Sequence, residues 1–210
     1  MKLRILFLSL LFGLLSGCAS LDERPESIEK PVSAEITSEP IRQILENARE
    51  QTKTTTGYTQ AYYTLPYPGG DVPADTGACV DVVIRAFRKA GVDLQKEVHE
   101  DMAAHFAAYP QKWGQAKTDA NIDHRRVPNL QTFFTRRGKS LPITSDGKDY
   151  KPGDVVAWDL DGHGLTHIGI VSNYLNELTG RYLIIHNIGG GAKAEDRIFE
   201  WKIIGHYRYF

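Results

Sequence analysis

The stretch Asp75–Phe87, DTGACVDVVIRAF, places a thiol at the head of an apolar periodic run. Val82, Val83, Ala86, Phe87 and Ala90 follow Cys79 at the spacing of one helical stripe. Thr76 reads as the cap and Gly91 as the stop of a helix from Gly77 to Ala90. Cys79 then lies in the first turn of the face that must be buried. Two readings fit that position. Free cysteine is among the most buried residue types, and a small core hydrophobe needs no further role. A thiol in a first helical turn also meets unpaired N–H groups and the positive dipole end, which favour a reactive thiolate. The second reading predicts a thiol pKa lowered into the ~3.5–7.5 range.

The helix alone does not decide between them; the residues downstream do. After Gly138 the runs DVVAWDL, HIGIVSNY, RYLIIHNI, RIFEW and GHYRYF are β-branched or aromatic and separated by turn residues. Upstream, helical spacing marks Ile41–Lys53, Leu94–Ala108 and Asn129–Arg137, and YPGGDVPADTG is loop. Helices followed by an antiparallel sheet predict an α+β domain over residues 41–210. His167 opens HIGIV and His186 closes LIIHNI, with the turn-rich SNYLNELTGRY between them. Adjacent antiparallel strands would stand the two imidazoles side by side, facing the helix start. One would take the thiol proton and return it to the leaving group, and the other would fix its tautomer.

The first residues have a different purpose. Lys2 and Arg4 precede the apolar run Ile5–Leu15, which ends in small residues, as in an export signal. The run is too short for a membrane span, which needs ~20 apolar residues. Leu15, Ser16, Gly17 and Cys18 resemble the lipobox of bacterial lipoproteins. That resemblance implies cleavage of residues 1–17, acylation of Cys18 and a membrane anchor. Ala19 after the cysteine implies the outer membrane. Residues 18–40 are polar and Pro-containing, a lipidated tether. Cys79 is then the one free thiol of the mature chain, exposed to an oxidising envelope. A formal charge of −1 without a basic cluster argues against nucleic acid as a partner.

TGAC at a helix start, KPGDVVAW, HIGIV and IIHNIG together resemble the NlpC-like, papain-fold cysteine peptidases of bacterial cell walls. YPGGDVP, NIDHRRVPNL and the closing GHYRY are similar to an uncharacterised bacterial family of the same clan. The resemblance implies a papain-like fold with helices packed on a C-terminal antiparallel sheet. It implies Cys79 as nucleophile, His167 as base and His186 as orienting residue, acting on peptidoglycan peptide. It carries Tyr67 over to a tyrosine that points its hydroxyl at the oxyanion site. The superfamily reads D-C-S-G, whereas Ala78 precedes Cys79 here. The aspartate that helps recognise a free amine is thus absent, and the scissile bond stays open.

NIDHRRVPNL supports two readings equally. Arg125 and Arg126 fit substrate carboxylates, or Asp123 pairs internally with one arginine while Pro128 starts a helix. Asn187 reads either as a second orienting residue or as a strand-end cap. His163 and His167 do not form a metal site, because four residues along a strand separate them by ~13 Å and no third ligand is near. Neither metal nor cofactor is expected. The sequence therefore predicts a lipid-anchored periplasmic cysteine hydrolase. Two alternatives remain: a non-catalytic lipoprotein binding peptidoglycan or a protein partner in the same groove, and an amide-forming acyltransferase.

Overall fold

The computed structural model describes residues 36–210; the export signal, Cys18 and most of the tether lie outside the described residues. Four helices come first: α1 (Glu39–Thr54), α2 (Cys79–Lys89), α3 (Leu94–Ala104) and α4 (Val127–Arg136). Five strands follow: β1 (Val155–Asp159), β2 (Thr166–Asn176), β3 (Arg181–Asn187), β4 (Ala192–Glu195) and β5 (Lys202–Tyr207). They form one sheet in the order β4-β3-β2-β1-β5, antiparallel at every pairing. The expected α+β division between helices and sheet is what the chain adopts.

Two apolar clusters flank the sheet. Val155, Ala157, Ile168, Ile170 and Ile185 pack with the helices. Val156, Trp158, Val171 and Ile184 point the other way and pack with Tyr150 and Ile198. Strand alternation divides them, since successive side chains leave opposite faces.

Helix α2 is more deeply enclosed than its stripe implied. Every residue from Cys79 to Phe87 is buried, Asp81 and Arg85 included. Buried charge is costly unless paired. Arg85 donates to the Asp71 carboxylate, to Thr55 Oγ1 and to the carbonyls of Val72, Pro73 and Thr76. One guanidinium thereby ties the Pro- and Gly-rich loop onto the helix.

The helix start differs from expectation. Ala78, not Thr76, is the N-cap, and the Asp81 carboxylate accepts the Ala78 amide at 2.6 Å. Gly77 permits this close turn: its φ is +158°, and a Cβ there would approach Asp81 Cβ to 2.9 Å. α3 stops at Ala104 and passes into a separate 3₁₀ turn, Phe106–Ala108. α4 begins two residues earlier than the sequence suggested, at Val127, with Pro128 in its first turn.

RIFEW is not a strand. Ile198 is buried, and its carbonyl accepts the Trp158 indole N–H at 2.9 Å from an irregular turn. The additional strand is β4, Ala192–Glu195, whose small and charged residues carry little strand signal.

Candidate active site

Cys79 is the first residue of α2, buried at 7% exposure and free of any disulfide. Backbone donors at Ile168, Val80 and Cys79 itself work in favour of the thiolate. Burial outweighs these donors and pushes the thiol up to about 12. This reverses the expected low-pKa thiolate. Helix-end stabilisation requires some remaining solvation of the charged form, and desolvation is the larger effect here.

The two histidines meet, but across a diagonal. Ile170 pairs with Ile185, so the register continues with Gly169 opposite His186. His167 lies two residues before Gly169 on the same face. Gly169 leaves room for the rings: a Cβ there would lie 3.1 Å from His186 Cβ and 2.7 Å from Ile184 Cγ2. His167 Nε2 and His186 Nδ1 are 2.7 Å apart. His186 Nε2 in turn lies 3.0 Å from Glu195 Oε2 on β4. His167, His186 and Glu195 therefore form one line stepping across three strands.

That line fixes the protons. Burial disfavours charge on Glu195, yet the His186 hydrogen bond and the Arg197 charge leave its carboxyl below the ordinary value. An ionised carboxylate only accepts, so His186 Nε2 must carry a proton. Burial lowers the pKa of His186 despite the pull of Glu195, and the ring is neutral at pH 7. Its Nδ1 is then an acceptor, and His167 Nε2 must donate to it. Burial, with His186 alongside, holds His167 down to about 3. Its Nδ1 is left as a bare lone pair with no protein partner among the described residues. The sequence reading missed Glu195. The GGG turn at 189–191, followed by an acid nine residues after His186, was the available signal.

The imidazoles leave the sheet on the face of Trp158, opposite the helices. His167 packs 5.8 Å from Trp158 and 5.9 Å from Trp201. No hydrogen bond joins Cys79 to His167 among the described residues. The link is the backbone: Ile168, which favours the thiolate, directly follows His167. The expected rings facing the helix start are thus replaced by rings at the strand end, on the opposite face of the sheet.

The other candidates separate clearly. Asn187 is buried and donates to the carbonyls of Gly57 and Gly77, while its oxygen accepts the Gly189 amide. It joins the sheet to the loop before Cys79. Tyr67 does not reach the site; its hydroxyl lies 3.3 Å from Glu100 Oε1 and the ring is 44% exposed. Tyr58 instead lines a cavity of about 340 Å³ together with Cys79. Burial raises the Tyr58 phenol, with Cys79 and Asp81 adding to the shift. Asp123 pairs with neither arginine, binding His99, Gln115 and the Asp119 amide instead. Arg125 clasps Asp81 with two bonds of 2.9 and 3.0 Å, both side chains 2% exposed. Arg126 faces the cavity.

A family model described as "Domain of unknown function (DUF1287)" matches residues 45–209. The chain belongs to the DUF1287 family. It is 49% identical over 210 residues to "Uncharacterized protein YijF" of Escherichia coli (strain K12), covering 100% of this chain and 99% of that one. Among solved structures it resembles an N-acetylmuramoyl-L-alanine amidase from Bacteroides uniformis, with TM-score 0.50 and 12% identity over 82% of this chain and all of that one. It also matches NlpC1 from Trichomonas vaginalis at TM-score 0.40 and 16% identity, covering 78% of this chain and 43% of that one. At these identities the likeness is one of fold. This DUF1287 chain has helices and an antiparallel sheet arranged as in the amidase structure.

Proposed function

We propose that the chain is a lipid-anchored periplasmic cysteine hydrolase that cuts an amide bond in peptidoglycan peptide. The observation that carries the reading is the His167–His186–Glu195 line. It ends in an unprotonated His167 nitrogen one residue before Ile168, whose backbone acts on a free thiol at a helix start. The substrate class follows the amidase of the same fold. Both thiol and imidazole are neutral at pH 7, so His167 Nδ1 removes the proton as sulfur attacks the carbonyl. The amide of Cys79 and the hydroxyl of Tyr58 receive the oxyanion. The imidazolium, oriented through His186 and Glu195, then protonates the departing amine, and water releases the acyl group. Digesting purified sacculi with the detergent-solubilised chain and reading the products by mass spectrometry tests this. Release of no peptide or amino-sugar product would remove the hydrolase reading.

One observation favours a non-catalytic binder: the buried thiol with no bond to His167. Under that reading Cys79→Ala keeps the full cellular phenotype, whereas a hydrolase loses it.

Three further outcomes are expected. Alkylation of Cys79 by iodoacetamide should be slow at pH 7 and still rising above pH 9, because the thiolate forms only as pH climbs towards about 12. A plateau reached by pH 7 would restore the low-pKa thiolate. Glu195→Gln should lower the hydrolysis rate roughly 10–100-fold with little change in KM, since the amide no longer dictates which His186 nitrogen is protonated. An unchanged rate would make Glu195 a structural partner only. Cys18→Ser should release the processed chain from membranes, and continued membrane partition of a cleaved product would refute the lipid assignment.

A further inference from the structure

The cavity beside Cys79 carries a definite sign of charge. Its lining includes Arg125 and Arg126 and no carboxylate. Asp81, the acid beneath the helix start, is closed off: both its oxygens bind Arg125, and one also accepts the Ala78 amide. Alanine rather than an acid precedes the nucleophile. Nothing in this lining is suited to a substrate ammonium group.

The two arginines are in different states. Arg125 is committed, with Nε and Nη2 on Asp81 and Nη1 on the Ala61 carbonyl. Arg126 is held by one corner. Its Nη1 donates to Gln115 Oε1 at 2.6 Å, and Gln115 Nε2 donates to Asp123 Oδ1 at 2.6 Å. Its carbon lies 4.1 Å from the Trp113 ring centre, a cation–π contact that fixes the plane of the guanidinium. Nε and Nη2 have no partner among the described residues. Those two nitrogens form an edge of the fork that grips a carboxylate with two parallel bonds. Burial works against the charge of Arg126, and Asp123 and Asp119 nearby offset it only partly. Gln115 stands between Arg126 and Asp123, and Asp119 contributes its amide to Asp123 and one carboxylate oxygen to Asn121.

We propose that the free edge of Arg126, braced by Trp113 and Gln115, binds a carboxylate of the substrate peptide, and that this anion rather than a free amino terminus is what the cavity recognises. The inference rests on the hydrolase reading for the identity of the peptide, not for the charge of the site. In wall peptides the natural target is a backbone carboxylate left free beside a side-chain-linked peptide bond.

Calorimetry on the full-length Cys79→Ala chain in detergent tests it with L-Ala–γ-D-Glu–L-Lys peptides carrying a C-terminal amide. One probe keeps the glutamate α-carboxylate, the second has it as a primary amide, and each is prepared with a free and an acetylated amino end. Amidation should weaken binding roughly tenfold or more, as expected for losing a charge-assisted bidentate pair. Acetylation should change affinity less than about twofold, because no carboxylate is available to the amine. Arg126→Gln should erase the difference between acid and amide, and Arg126→Lys should retain part of it. Equal binding of acid and amide, loss of binding on acetylation, or no binding of either peptide at millimolar concentration would each overturn the proposal. The acid–amide comparison needs no variant, so a poorly folded Arg126→Gln chain leaves it decisive. Sacculus cleavage without acid preference removes this inference and leaves the hydrolase. Acid preference without any cleavage does the reverse.

Discussion

His167→Ala should lower sacculus hydrolysis by roughly 10²–10⁴-fold, the range attributed to one general acid–base group. The loss should be in kcat, because the role proposed for the ring is proton transfer and it does not line the peptide cavity. His186→Ala should cost less than His167→Ala, since the base survives but its tautomer is no longer dictated. His186→Asn should recover part of the loss, because its amide oxygen can still accept from His167 Nε2. The double change at Cys79 and His167 should be scarcely worse than either alone, as groups acting as one unit are not additive. Binding of wall fragments should persist in every variant. A His167→Ala chain that cleaves at the normal rate would dismiss the relay as catalytic machinery.

The second large effect concerns stability. Arg125→Ala should destabilise the fold by about 3–5 kcal/mol, because it leaves the Asp81 carboxylate buried and unpaired. Urea midpoints measure this directly, provided the slope is unchanged. A double change, Asp81→Leu with Arg125→Met, should recover most of the loss, as apolar replacement of a buried ion pair is often neutral or better. It should remain short of full recovery by ~1 kcal/mol, the value of the lost cap on the Ala78 amide. A midpoint shift for Arg125→Ala under about 1 kcal/mol would mean that water reaches Asp81 freely.

Much of this fold was legible from local pattern. Val82, Val83, Ala86 and Phe87 announced a buried helix, and HIGIV and LIIHNI announced neighbouring strands. The site was legible only where its residues lay on such elements. Glu195 was missed because β4 reads AKAE, and pairing with β3 rather than propensity makes it a strand. RIFEW misled for the opposite reason: apolar residues can be drawn into a core from a turn once a carbonyl such as that of Ile198 finds an indole partner. Arg125 finds Asp81 44 residues earlier in the chain, a separation that no spacing rule reads. Tyr67 and Tyr58 lie nine residues apart, and only the path of the loop decides which of them faces the thiol. The thiol pKa turned on how deeply the first turn of α2 is covered, which one helix cannot reveal about itself.

The burial of Cys79 has a consequence for how long the protein lasts. Peroxide and disulfide chemistry both act through thiolate, and a thiol raised to about 12 supplies very little of it at pH 7. The Cys79 thiol is thereby shielded from sulfenic acid formation and from pairing with strangers. That quiet state is available only after folding, since the amide of Ile168 and the enclosing helices arrive from sequence far from residue 79. The unfolded chain carries an ordinary, vulnerable thiol. Speed of folding, as much as the stability of the finished molecule, then sets what fraction of the protein reaches its working form with the sulfur intact.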